Sequence, residues 1–228
     1  MTYEITKKAL FISRPNRFIA HVVLDGTDTT VHVKNTGRCR EILKPGTTVI
    51  LEQGKNPERK TAYSLISAYK GDMLINIDSQ VPNQVVSEAL QGALLTEFSP
   101  VTYLKREVTF GSSRFDIYYE CGQHKGFIEV KGVTLETDGA ALFPDAPTER
   151  GARHVYEMTE AVKAGYRGCI FFLIQLKGVQ YFTPNSLMDP EFNKALLEAS
   201  KNGVEILAYD SVVNGNSIEL GSKIPVIL

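Results

Sequence analysis

Two acids and a lysine near the middle of the chain, Asp116, Glu129 and Lys131, have the types and spacing of a site for metal-assisted hydrolysis. Each acid lies in a short run typical of a β-strand, and the turn Cys121-Gly122-Gln123-His124 separates the two runs. Because side chains alternate between the faces of a strand, Glu129 and Lys131 point to one side. If the runs pair as a hairpin, Asp116 comes level with Glu129. Such carboxylates bind a hard divalent cation, and the lysine can orient a water, so phosphodiesters are the expected substrates.

An aspartate followed by Glu-x-Lys is a weak signal by itself, because acids and lysines are common on the solvated faces of strands. The surrounding sequence favours a functional site. The strand that would carry Glu129 is apolar on its other face, and Gly132-Val133-Thr134 and a polar loop containing proline follow it. Functional groups commonly lie at a rigid strand end beside a long loop.

Length and composition predict a globular protein of one large domain or two small ones. The net charge of −1 over 228 residues does not indicate a nucleic-acid binder, but residues 1–80 carry more basic than acidic side chains. Contacts with a polyanion are therefore expected mainly in the first third. Unpatterned cysteines, no evident signal peptide and no bilayer-length apolar run predict a soluble cytoplasmic protein without membrane contacts. Whether it forms a homo-oligomer stays open.

Residues 1–81 predict a small β-barrel domain. Turn signals such as Asp25-Gly26, Asn35-Thr36-Gly37 and Pro45-Gly46 separate five predicted strands, at residues 9–13, 18–24, 29–33, 47–52 and 62–69. Five short strands are typical of an OB-like barrel, which often binds single-stranded nucleic acid in a basic groove that carries aromatic side chains. Phe18 could belong to that groove but is better explained as a core residue. The basic candidates for nucleic-acid binding are Arg14, Arg17, Lys34, Arg38 and Arg40.

Residues 82–228 predict a second domain, an α/β sandwich around a mixed sheet. Asn83 is expected to cap a helix over residues 84–98, which Glu97 closes. The later strands are expected at residues 103–109, 114–119, 126–130, 168–174, 178–183 and 204–209, and the later helices at 148–164 and 190–202.

This order of elements, with an aspartate on the second strand and Glu-x-Lys on the third, resembles the PD-(D/E)xK nuclease core. Four segments further resemble the sugar fermentation stimulation protein A (SfsA) family, and the likeness extends over nearly the whole chain. They are Asn35-Thr36-Gly37, residues 127–135, residues 203–209, and the specific run Phe-Pro-Asp-Ala-Pro-Thr-Glu-Arg-Gly at 143–151. The resemblance implies an N-terminal OB-like domain, a C-terminal PD-(D/E)xK nuclease-like domain and DNA binding in a bacterial protein.

The nuclease resemblance implies a role for each residue of the site. Asp116 and Glu129 would be the metal-binding carboxylates for Mg²⁺ or Mn²⁺, and the backbone carbonyl of Val130 would be a further ligand. Lys131 would position or activate the attacking water, so the catalytic residues would be the two acids and this lysine. Many nucleases of this class add an acid from the first helix, for which Glu97 is the candidate.

The segment after this strand predicts a helix whose first turns bring positive charge to the site. Thr148 is expected to cap the helix. Arg150 and His154 then share one face, and a guanidinium together with a helix N-terminus can hold a phosphate. Arg150 and Arg153 are therefore candidate nucleic-acid contacts, and a structural ion pair between Glu149 and Arg150 is an equally good explanation.

Further polar side chains are expected to support the carboxylates without binding the metal. The loop before the helix would bring one acid to the sheet edge, and a glutamine directly follows the buried strand at 168–174. A histidine in such a place is more often a structural partner than a base. This supporting set is Asp145, Glu149, His154 and Gln175.

Two functions stay open on the sequence. The first is a Mg²⁺- or Mn²⁺-dependent nuclease acting on DNA or RNA, with the barrel feeding a strand to the site. The second is a non-catalytic DNA-binding regulator that retains a nuclease scaffold. The joint presence of Asp116, Glu129 and Lys131 favours chemistry, and no helix-turn-helix is recognisable. A sugar-processing enzyme has no supporting motif.

Overall fold

The computed structural model describes residues 1–35, 37–56 and 58–228, and in these residues an N-terminal barrel precedes an α/β domain. Thr36, the middle residue of the predicted turn Asn35-Thr36-Gly37, lies outside the described residues. No helix in the described ranges is long and apolar enough to cross a membrane. Cys39, Cys121 and Cys169 are free thiols, and the first and last of them are buried.

The barrel confirms the prediction of an OB-like domain with five strands: β1 (Thr6–Ser13), β2 (Ile19–Leu24), β3 (Thr27–Val33), β4 (Thr48–Gln53) and β5 (Tyr63–Lys70). β1 pairs antiparallel with β2 and β4, β4 pairs with β5, and a short parallel pairing of β3 with β5 closes the barrel. Ala20, Val22 and Leu24 alternate with more exposed residues and fill the interior. A sixth strand, β6 (Met73–Asn76), extends the sheet beyond β5.

The α/β domain contains a mixed sheet, as predicted, and this sheet has six strands. The strand predicted at 178–183 is not one of them, and the edge strand Ile218–Lys223 was not predicted. The six strands are β7 (Tyr103–Phe110), β8 (Ser113–Cys121), β9 (His124–Val133), β12 (Arg167–Ile174), β14 (Glu205–Val213) and β15 (Ile218–Lys223). The order is β15-β14-β12-β9-β8-β7, in which β9, β12 and β14 are parallel and the outer pairings are antiparallel. β12 is apolar along its length because it has neighbours on both edges and helices on both faces. A small sheet adds β10 (Leu135–Thr137), β11 (Ala140–Phe143) and β13 (Tyr181–Pro184).

Three helices cover this sheet: α1 (Val81–Gln91) on one face, and α2 (Glu149–Lys163) and α3 (Pro190–Lys201) on the other. Thr148 caps α2 as predicted, since its hydroxyl accepts from the Gly151 N–H at 3.0 Å. The predicted helix over 84–98 was wrong at both ends. α1 begins at Val81 with Gln80 at the N-cap, so Asn83 is not a cap, and it ends before Gly92. Glu97 belongs to a separate 3₁₀ turn, Thr96–Phe98.

Buried polar contacts fix the barrel against the α/β domain. The Asn76 N–H donates to the Gln175 carbonyl at 2.9 Å, and Gln175 Nε2 donates to Asn76 Oδ1 at 2.9 Å and to the Asp78 carbonyl at 3.1 Å. Lys70 of β5 donates to the Glu136 carboxylate at 2.6 Å. Because Gln175 directly follows β12, the barrel is held at the carboxyl end of the central parallel strands.

Candidate metal centre and nucleic-acid interface

The register of the hairpin brings Asp116 beside Glu129. β8 and β9 pair from Ile117 opposite Ile128 onward, and the same register extended by one residue places Asp116 opposite Glu129. The described backbone ladder stops there, and the Val130 N–H donates instead to Asp116 Oδ2 at 2.8 Å. The Asp116 side chain therefore lies between the two strands rather than fully on one face.

The ionised form of Asp116 is disfavoured by its surroundings. Its Oδ1 accepts from Asn83 Nδ2 of α1 at 2.7 Å, in addition to the Val130 N–H on Oδ2. Burial, followed by the nearby negative charge of Glu129, raises the pKa of Asp116 from 3.8 to about 6, although Val130, Lys131 and Asn83 oppose the shift. A positive charge placed between the two acids would remove most of this penalty.

Glu129 is almost completely buried, with 3% of its surface exposed, and its two oxygens have different surroundings. Oε1 accepts from Lys131 Nζ at 2.7 Å and from His154 Nδ1 at 2.5 Å. Burial acts to raise the pKa of Glu129, but these hydrogen bonds and the Lys131 charge outweigh it and hold the pKa below its usual value. Oε2 is buried and has no hydrogen-bond partner among the described residues.

The donor set fits a hard divalent cation. Buried carboxylate oxygens are normally satisfied, so a bare Glu129 Oε2 indicates that a group outside this chain completes its surroundings. In the described part of the chain, no three His, Cys, Asp or Glu side chains cluster closely enough to enclose a metal ion by themselves. Two carboxylates, with waters or substrate oxygens in the remaining positions, match the way proteins bind Mg²⁺.

Glu97 does not join this centre. α1 has 11 residues and is about 16 Å long, with Asn83 near its start and Glu97 beyond its end. The Glu97 carboxylate accepts from Lys223 Nζ at 2.7 Å and from the Tyr209 hydroxyl at 3.0 Å, and these partners belong to β15 and β14 at the edge of the sheet away from β8. The structure thus groups Asp116, Glu129 and Lys131 but leaves Glu97 out.

Two of the basic residues expected to bind nucleic acid are already engaged within the barrel. Lys34 Nζ pairs with Glu52 at 2.7 Å and with Asp78 at 3.2 Å. Arg14 donates to four backbone carbonyls, and so fastens the loop after β1 to the loop after β3; the acceptors are Arg17, Asn35, Gly37 and Arg38. Both side chains therefore have structural roles.

The loops that Arg14 joins form a groove of about 720 Å³, which reaches the segment before α2 at Ala146 and Pro147. Arg17, Arg38 and Arg40 line it with exposed side chains. Phe18, expected in the core, is instead 52% exposed, and the Arg17 guanidinium lies 6.0 Å from its ring centre. Among the barrel candidates, the structure thus brings together three arginines that form no ion pair with the described residues, and an aromatic ring lies beside one of them, Arg17.

The residues of the α2 segment are divided between the site and the surface. Arg150 Nε donates to His154 Nε2 at 3.4 Å, so His154 contacts both Arg150 and Glu129. The ion pair between Glu149 and Arg150 does not form among the described residues. Arg153 is exposed and lines a different surface between α2 and α3, which is rich in glutamate.

Asp145 and Gln175 line a cleft of about 140 Å³ at the domain junction, next to Gly132 of β9. Gln175 Nε2 donates both of its hydrogens to the barrel side of the junction. Its Oε1 packs against Gly132 so closely that a Cβ added to Gly132 would lie only 2.5 Å from it. Within the described residues, these two side chains border the site from the domain junction and form no hydrogen bond with Asp116 or Glu129.

Asn83, predicted as a helix cap, instead contacts the site, because its Nδ2 donates to Asp116 Oδ1. A proline is favoured in the first turn of a helix, so Pro82 signals that the helix starts before Asn83. With that start, Asn83 lies in the first turn with its side chain free to reach β8. Pro82, the residue before Asn83, therefore indicates in the sequence that Asn83 is not the cap.

Comparison with known proteins shows likeness over the full length. The model of the SfsA family described as the sugar fermentation stimulation protein RE domain matches residues 80–217, and the SfsA N-terminal OB domain matches residues 12–77. A sugar fermentation stimulation protein homolog of Alkaliphilus oremlandii is 56% identical, with 99% of this chain and 98% of the relative covered. The homolog of Desulfitobacterium hafniense strain Y51 is 52% identical over 100% of this chain and 99% of its own length.

One solved structure agrees in fold over the whole chain. The structure of Pyrococcus furiosus SfsA in complex with Ca²⁺ superposes with a TM-score of 0.91 at 29% sequence identity. The superposition covers 100% of this chain and 98% of that one, so both domains and their arrangement are shared.

Proposed function

This chain belongs to the SfsA family, and we propose that it is a divalent-metal-dependent nuclease that hydrolyses phosphodiester bonds in DNA or RNA. The observation that carries the proposal is Glu129 Oε2, which is buried and has no hydrogen-bond partner among the described residues. Glu129 lies opposite Asp116 in the extended strand register, and Lys131 Nζ donates to its other oxygen, Oε1. Two acids and a lysine around an unsatisfied oxygen are what metal-assisted hydrolysis needs.

Asp116, Glu129 through Oε2, and the backbone carbonyl of Val130 are the proposed ligands of Mg²⁺ or Mn²⁺. Bound there, the cation would act as a Lewis acid that stabilises the negative charge developing on the phosphate. The relative from Pyrococcus furiosus was solved in complex with Ca²⁺, which supports a hard-cation site in this fold. Ca²⁺ and Mg²⁺ both prefer oxygen ligands.

Lys131 supplies the second part of the chemistry. Its ammonium group donates to Glu129 Oε1 at 2.7 Å, and 14% of its side chain remains exposed. An ammonium group carries three donors and can accept none. One donor fixes the lysine to Glu129, and the others can orient the attacking water and contact a phosphate oxygen.

The barrel groove is the proposed path for the polynucleotide. Arg17, Arg38 and Arg40 supply phosphate contacts, and the exposed ring of Phe18 offers a stacking surface for an unpaired base. The groove reaches Pro147, the residue before the α2 cap, so a strand lying in it is directed toward the first turn of α2 and Glu129 behind it. Arg150, which is exposed on the first turn of α2, would extend the positive surface, whereas Arg153 lies on the glutamate-rich surface between α2 and α3 and takes no part in it.

Cleavage of labelled single- and double-stranded DNA and RNA, in EDTA, Mg²⁺ or Mn²⁺, tests the proposal. Cleavage should require the metal and fall by at least about 10³-fold in Glu129→Gln, because one ligand and the lysine anchor are lost together. Glu97→Gln is the matched control, an acid of the same domain outside the centre, and should retain activity.

The same experiment separates the proposal from a non-catalytic role. The arginine groove would serve a DNA-binding regulator equally well. If every nucleic acid stays intact while binding is tight and weakens with salt, the enzyme assignment fails and a DNA-binding protein on a nuclease scaffold is the better account.

A further inference from the structure

We propose that His154 and Arg150 are positioning residues, which hold the Glu129 carboxylate so that Oε2 alone is presented to the divalent cation. This inference rests on the metal centre of the proposed function. Arg150 would then act inside the protein, through its contact with His154, whether or not it also contacts a phosphate.

The hydrogen-bond geometry indicates which ring nitrogen of His154 donates. A guanidinium can only donate, so His154 Nε2 accepts the contact from Arg150 Nε. Glu129 Oε1 also accepts from Lys131 Nζ, so it is the acceptor of the contact with His154 Nδ1 as well. This arrangement matches the tautomer of His154 protonated on Nδ1, and the Arg150 contact favours that tautomer.

The same contacts fix the orientation of Glu129. Oε1 is held from two sides, by Lys131 on its own strand and by His154 on α2. A rotation of the carboxylate away from this orientation would weaken both hydrogen bonds, and His154, which is 4% exposed, has almost no access to water that could replace its own bond. Oε2 is consequently left without a hydrogen bond from the described residues and is the oxygen available to a cation.

Helix α2 holds Arg150 and His154 in fixed positions. Arg150 and His154 are one turn apart on α2, and α2 packs on β9 and β12 through Val155 and Met158. Partners of this kind, one step removed from the metal, commonly contribute about 10- to 100-fold to metal affinity.

Mn²⁺ titration by calorimetry tests the proposal on the full chain. His154→Leu, which keeps bulk but removes the donor, should weaken Mn²⁺ binding about 10- to 100-fold. His154→Asn places an amide N–H near the position of Nδ1 and should restore most of the affinity. Arg153→Gln removes a neighbouring arginine that does not contact His154, and should bind Mn²⁺ like the wild type.

Nitrogen NMR of the metal-free protein gives a readout that does not depend on the metal. With only four histidines, the ring of His154 can be assigned by its loss in His154→Asn. The wild type should show the tautomer protonated on Nδ1, and Arg150→Gln should redistribute the proton between the two ring nitrogens.

The outcomes separate this inference from the proposed function. If the wild type takes up no Mn²⁺, the metal centre itself is refuted. If the wild type binds Mn²⁺ and folded His154→Leu binds it as tightly, or if the ring is protonated on Nε2, the positioning role is refuted and the metal centre stands.

Discussion

Replacement of Asp116 by asparagine should stabilise the metal-free protein at neutral pH while removing a metal ligand. The folded environment raises the pKa of Asp116 from 3.8 to about 6, because the carboxylate is buried near Glu129. A raised pKa means that the acid contributes most stability below pH 3.8 and that this contribution is lost as the pH rises through about 6. Above pH 6 the ionised Asp116 therefore works against folding.

The rise in the pKa of Asp116 from 3.8 to about 6 corresponds to about 3 kcal/mol when Asp116 is fully ionised, and to about 1 kcal/mol at pH 4.5. Asparagine never pays this penalty, but its amide presents a donor to either Asn83 or Val130 and loses one hydrogen bond worth about 1–2 kcal/mol. We expect Asp116→Asn to be about 1–2 kcal/mol more stable than the wild type at pH 7.5 and no more stable at pH 4.5.

Urea unfolding of both proteins in EDTA, at pH 4.5 and 7.5, measures these differences. Adding Mn²⁺ at pH 7.5 should then stabilise the wild type and leave Asp116→Asn nearly unchanged, since only the wild type retains both acids. A variant that is less stable than the wild type by the same amount at both pH values would refute the reasoning, because Asp116 would then carry no penalty as an anion.

Three further substitutions test the placement of particular side chains. Glu97→Gln should change Mn²⁺ affinity by less than about 2-fold in calorimetry, because Glu97 is held by Lys223 and Tyr209 away from the centre, whereas a tenfold loss would make it a ligand. Gly132→Ala should lower the free energy of unfolding by about 1–3 kcal/mol in urea, since its Cβ would lie 2.5 Å from Gln175 Oε1 and 2.8 Å from Pro82; Gly215→Ala, with open space around it, is the control. Arg14→Ala should lower the free energy of unfolding by about 2–3 kcal/mol, because the two loops of the groove lose the hydrogen bonds that join them. Although Arg14 itself contacts carbonyls, the variant should also bind oligonucleotides more weakly in EDTA, since the groove loses its shape. Unchanged binding by fluorescence anisotropy would show that the groove does not bind the strand.

The barrel and the mixed sheet could be predicted from local sequence because their strands are short, apolar and separated by strong turn signals. The fully apolar strand at β12 identified the centre of the parallel sheet. The elements that were missed lack such signals: β10 and β11 are three and four residues long, and β15 contains charged residues and a glycine at the sheet edge. Their pairing depends on partners far away in the chain.

The grouping of Asp116, Glu129 and Lys131 follows from strand alternation and a hairpin, which are both local. The surroundings of these residues are not local. His154 reaches Glu129 from α2, and Asn83 reaches Asp116 from α1, so both contacts depend on how helices pack on the sheet. The structural role of Arg14 likewise depends on a distant loop, since one of its acceptors is the carbonyl of Asn35, 21 residues later. No pattern of charges in the sequence reveals this contact.

Crystals of the protein soaked in Mn²⁺ and measured at the manganese absorption edge would test the central claim most directly. The account predicts one strong anomalous peak between Asp116 and Glu129, with Oε2 rather than Oε1 of Glu129 as the ligand. The peak should be absent from crystals of Glu129→Gln. Manganese bound elsewhere, or no peak at the two acids in well-ordered crystals, would contradict the assignment of a metal-dependent nuclease centre.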